Sequence, residues 1–272
     1  MGDVERGIGV GTGSLVCVGT GLTLVAQITL EARAHIEQAD RVFYMLNDGV
    51  MAEWVRGLNK TAVSLAHLYH PDKVRLQTYQ EMSDLIMAAV RQGHAVCVVM
   101  YGHPGVFAMP VHKAVAQARR EGYPATIVPG ISAEDCLFAD LGIDPGQYGC
   151  YSVEATDFLI RRRQPDITGH FIVWQIGAVG ILRFAGELAP GLQVLTDELL
   201  RFYAPEHEVV VYEASKYPTL PPLIERLPLA QLPQATVTRM ATLYVPPQEK
   251  AAVDWEMVAR LGMKPEDLRW RA

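Results

Sequence analysis

The chain has 272 residues, 50% of them hydrophobic, enough for one large domain or two moderate ones with a sizeable core. A formal net charge of -6, from 24 Lys+Arg against 30 Asp+Glu, gives no basic field for phosphate backbones, and the run Arg161-Arg162-Arg163 is a single turn long, so nucleic acid is not the expected partner. Asp3 and Glu5 precede any apolar stretch and no apolar run reaches about eighteen residues, so neither a secretion signal nor a membrane helix is expected, and the location read from this is cytoplasmic.

Strand-like apolar runs alternate with amphipathic segments of helix length, the pattern of an α/β layer architecture. Strands are predicted at Ser14–Val18, Arg41–Leu46, Ala95–Met100 and Ala125–Val128, with helices at Gln27–Gln38, Asp72–Gln92 and Pro110–Glu121. Val128-Pro129-Gly130 then breaks the pattern, and a helix follows in which Ser132 is the expected N-cap and Asp135 reaches back to it. Beyond that point strands are predicted at Gly149–Val153, His170–Ile176, Glu208–Ala214 and Thr236–Val245, and helices at Val179–Leu188, Gln193–Tyr203, Leu223–Leu232 and Asp254–Met263. Two domains are expected, 1–129 and 130–272. Cys17, Cys97, Cys136 and Cys150 show no C-x-x-C spacing and read as reduced, mostly buried thiols.

Three stretches of the first half can carry chemistry. Gly19-Thr20-Gly21 ends the first strand and offers either a ligand turn with free backbone N–H groups or a plain tight turn; no third glycine completes a dinucleotide fingerprint. Tyr101-Gly102-His103-Pro104-Gly105-Val106-Phe107 follows the strand Ala95–Met100, where open α/β sheets receive ligands, and its two glycines allow close backbone approach. His103 has no carboxylate or cysteine beside it that suggests a triad, and His67 and His70 show no zinc spacing, so no metal is expected. In Tyr69-His70-Pro71-Asp72-Lys73-Val74-Arg75-Leu76-Gln77-Thr78-Tyr79, a helix starting near Asp72 puts Arg75 and Tyr79 four apart on one face, with Tyr69 before the first turn. A guanidinium beside a phenol favours the phenolate, so this group can remove a weakly acidic proton or serve as a plain surface pair. In the second half, Trp174-Gln175-Ile176-Gly177, Tyr212-Glu213-Ala214 and Ala241-Thr242 sit near strand tips and suit ligand contact and ordinary packing equally.

In their order, these segments resemble the tetrapyrrole (corrin/porphyrin) methylase superfamily: a first strand running into Gly19-Thr20-Gly21, a Gly-x-Pro-x-x-Phe loop, Pro-Gly-Ile-Ser at 129–132 and Thr-Leu-Tyr-x-Pro-Pro at 242–247. Within it the chain is similar to the borosin group of peptide backbone α-N-methyltransferases, through Tyr101–Phe107, Pro129–Asp135, Phe138–Gly142, Glu154–Asp157 and Trp174–Gly177. Gly102-His103-Pro104 replaces the Gly-Asp-Pro of many tetrapyrrole enzymes. The resemblance implies a two-domain α/β fold with a parallel N-terminal sheet and a mixed C-terminal sheet, and S-adenosylmethionine bound in the cleft between domains and released as S-adenosylhomocysteine. It also implies catalytic roles for Tyr69, Arg75, Tyr79 and Tyr101, and cofactor contacts at Tyr101, His103, Val106, Met109, Gln175, Ala214, Ala241 and Thr242. Ala66 stands where some members carry a further tyrosine.

The expected reaction is methylation of backbone amides in a ribosomally made precursor. Because the sequence has no apolar tail resembling a core peptide after Asp254–Met263, it resembles the split type, with the precursor supplied in trans to a homodimer, as a heterotetramer with two precursor chains. The alternatives are a methyltransferase acting on a tetrapyrrole or another small molecule, and a non-catalytic peptide-binding scaffold.

Overall fold

A computed structural model describes residues 13–181 and 189–268. The backbone falls into two compact units. Of the described residues, the first takes those up to Leu137, Ile181 and Ala214–Pro222, and the second takes the remainder, so the chain passes from one to the other inside a helix that begins at Ala133.

The first unit contains β1 (Ser14–Gly19), α1 (Leu30–Gln38), β2 (Arg41–Met45), α2 (Gly49–Leu58), β3 (Val63–Ser64), α3 (Arg75–Arg91), β4 (Ala95–Met100), α4 (Met109–Arg120) and β5 (Ala125–Ile127). Its strands form one parallel sheet in the order β3-β2-β4-β1-β5. Successive strand side chains point to opposite faces, and both faces are apolar. Leu15, Cys17, Val96 and Val98 meet Met82, Ile86 and Val90 of α3 and Val111 and Val115 of α4 on one side. Val18, Val42, Cys97 and Val99 meet Ile36 of α1 and Val55 of α2 on the other. β1 and β4 are neighbours whose following connections run toward opposite edges of the sheet, which makes their carboxyl ends a topological switch point.

Two helix starts differ from expectation. The first helix begins at Leu30 rather than Gln27, because the Gln27 side chain accepts from the N–H groups of Leu22 and Thr23 while Thr29 caps the helix through Ala32. The third begins at Arg75 rather than Asp72: Lys73 N–H closes a turn on the His70 carbonyl and Val74 is extended. The helix α2 and the short strand β3 lay in a stretch for which no element was expected. Ser132 and Asp135 form the expected reciprocal cap, with Ser132 N–H donating to Asp135 Oδ2 at 2.7 Å and Asp135 N–H donating to Ser132 Oγ at 3.3 Å.

From α5 (Ala133–Leu141) the chain continues through α6 (Pro145–Tyr148), β6 (Cys150–Glu154), α7 (Ala155–Ile160), β7 (His170–Trp174), α8 (Ala189–Leu199), β8 (Glu208–Glu213), β9 (Leu223–Pro228), β10 (Thr242–Val245) and α9 (Trp255–Arg260). The second unit's sheet is mixed, in the order β6-β7-β10-β8-β9, with only β6 and β7 parallel. Phe158, Phe171, Leu195, Val211 and Leu243 are among its fully buried residues. Three expectations fail here. Leu223–Leu232 is not a helix: Pro228 would fall inside it, and Leu223–Pro228 instead pairs residue for residue with Glu208–Glu213 as an edge strand. The strand expected over Thr236–Val245 begins only at Thr242, because Thr238 folds back to accept from Met240 and Ala241 N–H. The strand expected to reach Ile176 ends at Trp174, where Gln175 turns left-handed at φ 59°. The helix expected at Val179–Leu188 lies largely outside the described residues. Cys17, Cys97 and Cys136 are buried and Cys150 is exposed.

Candidate functional site in the first unit

Gly19 has no room for a side chain. A Cβ there would fall 2.0 Å from the Gly102 carbonyl oxygen, so the end of β1 and the loop after β4 touch backbone to backbone. Gly102, at φ 69°, donates its N–H to the Gly21 carbonyl at 3.0 Å, and Tyr101 N–H donates to the Met45 carbonyl at 3.1 Å. The first two residues of the loop are thus fastened to the ends of β1 and β2, and Tyr101 is half-buried.

The next residues are held by side chains. Gly105 N–H donates to His103 Nδ1 at 2.9 Å, which requires a lone pair on Nδ1 and places the proton of the neutral ring on Nε2. His112 Nε2, from the first turn of α4, lies 2.7 Å from the Gly105 carbonyl and therefore donates to it. Phe107 follows at φ 52°, in the left-handed region that costs a non-glycine residue about 1–2 kcal/mol. Val106 and Met109 are exposed.

Phe107 lines a cavity of about 110 Å³ together with Tyr69, Tyr79, Met82, Ile86 and Met100. Tyr79 comes from the first turns of α3, and Tyr69 ends a single 3₁₀ turn over Ala66–Leu68. The two phenols are hydrogen-bonded to each other. Burial pushes the Tyr69 phenol well up, Tyr79 adds to the shift, and the charge of Arg75, the first residue of α3, opposes it without cancelling it. Arg75 thus acts on its tyrosine neighbour in the expected direction, but desolvation outweighs it at Tyr69, which stays protonated at neutral pH. The lead-in is braced by Lys73 Nζ, which bonds Glu81 at 2.6 Å and the Leu68 carbonyl at 3.2 Å.

Tyr69 and Tyr79 thus line one apolar cavity, with the charge of Arg75 acting on Tyr69, and the loop bearing Tyr101, His103, Val106 and Met109 contributes Phe107 to the same cavity wall. Gln175, Ala241 and Thr242 form a separate group in the second unit, where Ile176 N–H donates to the Ala241 carbonyl at 3.1 Å and both Ala241 and Thr242 are buried. Ala214 follows the end of β8. Sequence reasoning missed Phe107 as a wall of the cavity and His112 as a ligand of the loop backbone. The available signal was Pro110, which marks the helix start and puts His112 in its first turn.

The sequence profile of the Tetrapyrrole (Corrin/Porphyrin) Methylases matches residues 14–227. The chain is 41% identical over 263 residues to a methyltransferase/ribosomally synthesized type I borosin cyclic peptide precursor of Serendipita vermifera subsp. bescii, an alignment covering 94% of this chain and 64% of that protein. It is 42% identical over 259 residues to the methyltransferase/ribosomally synthesized cyclic peptide omphalotin A precursor of Omphalotus olearius, covering 93% and 62%. The chain therefore spans a little under two thirds of the length of these relatives. The crystal structure of uroporphyrin-III-C-methyltransferase from Thermus thermophilus superposes with a TM-score of 0.62 at 21% identity, covering 94% of this chain and all of that one, which establishes a shared fold. With a parallel sheet whose switch point carries the glycine-rich loop, a mixed second sheet and a profile match over most of its length, the chain belongs to the tetrapyrrole (corrin/porphyrin) methylases.

Proposed function

We propose that the protein is an S-adenosylmethionine-dependent methyltransferase that methylates backbone amides of a ribosomally made precursor peptide. The observation that carries this reading is the pair of hydrogen-bonded tyrosines beside Arg75, set over an apolar cavity next to the Tyr101–Phe107 loop, in a chain about two-fifths identical to borosin proteins along nearly all its length. The small-molecule alternative has less support, because the likeness to the uroporphyrin enzyme is at fold level.

An adenosyl-sulfonium ligand at this loop is supported by a backbone pinned at Gly102 and Gly105 that carries the exposed apolar side chains Val106 and Met109 together with the polar groups of Tyr101 and His103. Tyr101, His103, Val106 and Met109 would hold the cofactor, as would Gln175, Ala214, Ala241 and Thr242, and when bound it supplies an activated methyl electrophile. The residues must deal with the other reactant. An amide nitrogen is a poor nucleophile because its lone pair is delocalised into the carbonyl. Arg75 supplies a cation for an oxygen that gains charge as the amide becomes imidate-like, while the protonated Tyr69 holds Tyr79 through their hydrogen bond. Tyr79, entering the step as the phenolate that accepts the Tyr69 hydrogen bond, is the proposed acceptor of the amide proton and leaves it as the neutral phenol, and the apolar cavity walls keep water from the exchange.

The proposed partner is a precursor chain supplied in trans to a homodimer. The test is co-expression with small proteins encoded beside the gene, followed by mass spectrometry: methylation placed on backbone nitrogens by fragment ions supports the reading. A precursor left unmodified while a tetrapyrrole is methylated overturns it, and light scattering that shows a stable monomer overturns the assembly.

A further inference from the structure

We infer that His112 is a positioning residue, a clasp that holds the loop after β4 in the shape the site requires. The inference rests on the proposed function for what the loop contacts, but the clasp itself is a matter of geometry. Gly105 is the one residue of the loop whose N–H and C=O are both taken by imidazoles: His103 Nδ1 receives the N–H at 2.9 Å, and His112 Nε2 donates to the carbonyl at 2.7 Å. The two rings hold from different sides. His103 lies within the loop, and a Cβ on residue 105 would come within 3.2 Å of its ring, so the loop is closely folded on itself there. His112 belongs to α4, whose neighbouring Val111, Ala114 and Val115 are buried against the sheet, so its bond ties the loop to a fixed body.

Between the two ends of this tie lies the strained part. Residues 105 to 112 close a ring through the His112–Gly105 bond, and within it Phe107 is left-handed with its ring against the tyrosine cavity. A left-handed phenylalanine persists only where the surroundings over-determine it. Ala108, the N-cap of α4, makes no side-chain hydrogen bond that could order this junction. His112 instead orders it by donating from the helix to the Gly105 carbonyl, and it was singled out by no motif in the sequence. Without the bond, the segment carrying Val106, Phe107 and Met109 loses its tie from Gly105 to α4, and the loop contacts proposed for the cofactor loosen with it.

The experiment compares wild type, His112→Ala and His112→Gln, the glutamine amide being able to place an N–H donor near the position of Nε2. Hydrogen exchange of ligand-free protein, read on peptides spanning Tyr101–Met109, is expected to quicken in His112→Ala and to return toward wild type in His112→Gln, with peptides from the β1 and β4 strands unchanged. Calorimetry with S-adenosylhomocysteine is expected to show about tenfold weaker binding for the alanine variant and near-wild-type binding for the glutamine one. Unchanged exchange in His112→Ala, or equal losses in both variants, overturns the clasp. Wild-type protein that binds no S-adenosylhomocysteine overturns the proposed function instead, and the exchange comparison still decides the clasp.

Discussion

The two sides of the tyrosine cavity are built by opposite means. On the α3 side, Tyr79, Met82 and Ile86 recur at helical spacing, and each is where it is because the helix is regular. On the loop side, Phe107 lies outside any helix or strand, and Gly19, Gly102, His103 and His112 hold the backbone around it. Side chains on the regular wall can therefore be exchanged with local effect, whereas small changes on the loop wall displace backbone.

The sharpest test lies at the start of α3, the helix that builds the regular wall. Arg75→Ala is expected to lower methyl transfer by about 10²–10³-fold, the scale of removing one charge-stabilising donor, while leaving S-adenosylhomocysteine binding and stability close to wild type. Tyr79→Phe follows, at about 10²-fold, if it accepts the proton. Full turnover in either variant, measured by mass spectrometry of the product, removes the residue from the mechanism. On the loop wall the effect moves from chemistry to folding. Gly19→Ala drives a methyl toward the Gly102 carbonyl and is expected to cost roughly 3 kcal/mol in denaturant unfolding, because neither backbone can yield. A smaller effect isolates the strain: Phe107→Gly should be more stable than Phe107→Ala by about 1 kcal/mol, since both lose the ring and only glycine accepts φ 52° without penalty.

An effect of similar size serves as a control away from both walls. Asp48 caps α2 through Val50 and Met51 N–H and accepts from the Tyr217 hydroxyl at 2.6 Å. The Tyr217 hydrogen bond, with those backbone bonds, holds its carboxyl below the ordinary value. A depressed folded pKa makes this contribution complete above about pH 4 and lost as pH falls through the lower folded value. Asp48→Ala should therefore cost about 1 kcal/mol at neutral pH, with less difference from wild type in acid, and leave the cavity's activity unaltered.

The same contrast explains what could be read in advance. The parallel sheet, the strand Ala95–Met100 to the residue, and the placement of Arg75 and Tyr79 four apart on one helix all follow from periodicity and strand-tip logic. The Ser132–Asp135 cap follows from local hydrogen-bonding chemistry. What escaped depends on partners distant in sequence or on irregular backbone. Leu223–Leu232 has a helical apolar pattern, and only the open edge of β8 with Pro228 makes its first part a strand. The left-handed turns at Phe107 and Gln175 have no glycine to announce them. The upward shift of the Tyr69 phenol requires knowing how deeply it is buried, which spacing to Arg75 does not give.

The sheet order has a consequence for how the protein is made. β1 pairs Ser14 with Ala95 through β4 and Leu15 with Ala125 through β5, and its sheet partners are both distant in sequence. At a ribosomal rate of about 5–20 residues per second, the first strand waits roughly 4–16 s before its nearer partner is synthesised. During that time an apolar strand that will become central has both edges open, and contacts of such sequence separation close slowly even once the chain is complete. The order β3-β2-β4-β1-β5, which places the loop after β4 beside the turn after β1, therefore makes the nascent chain dependent on protection from aggregation until residue 100 has emerged.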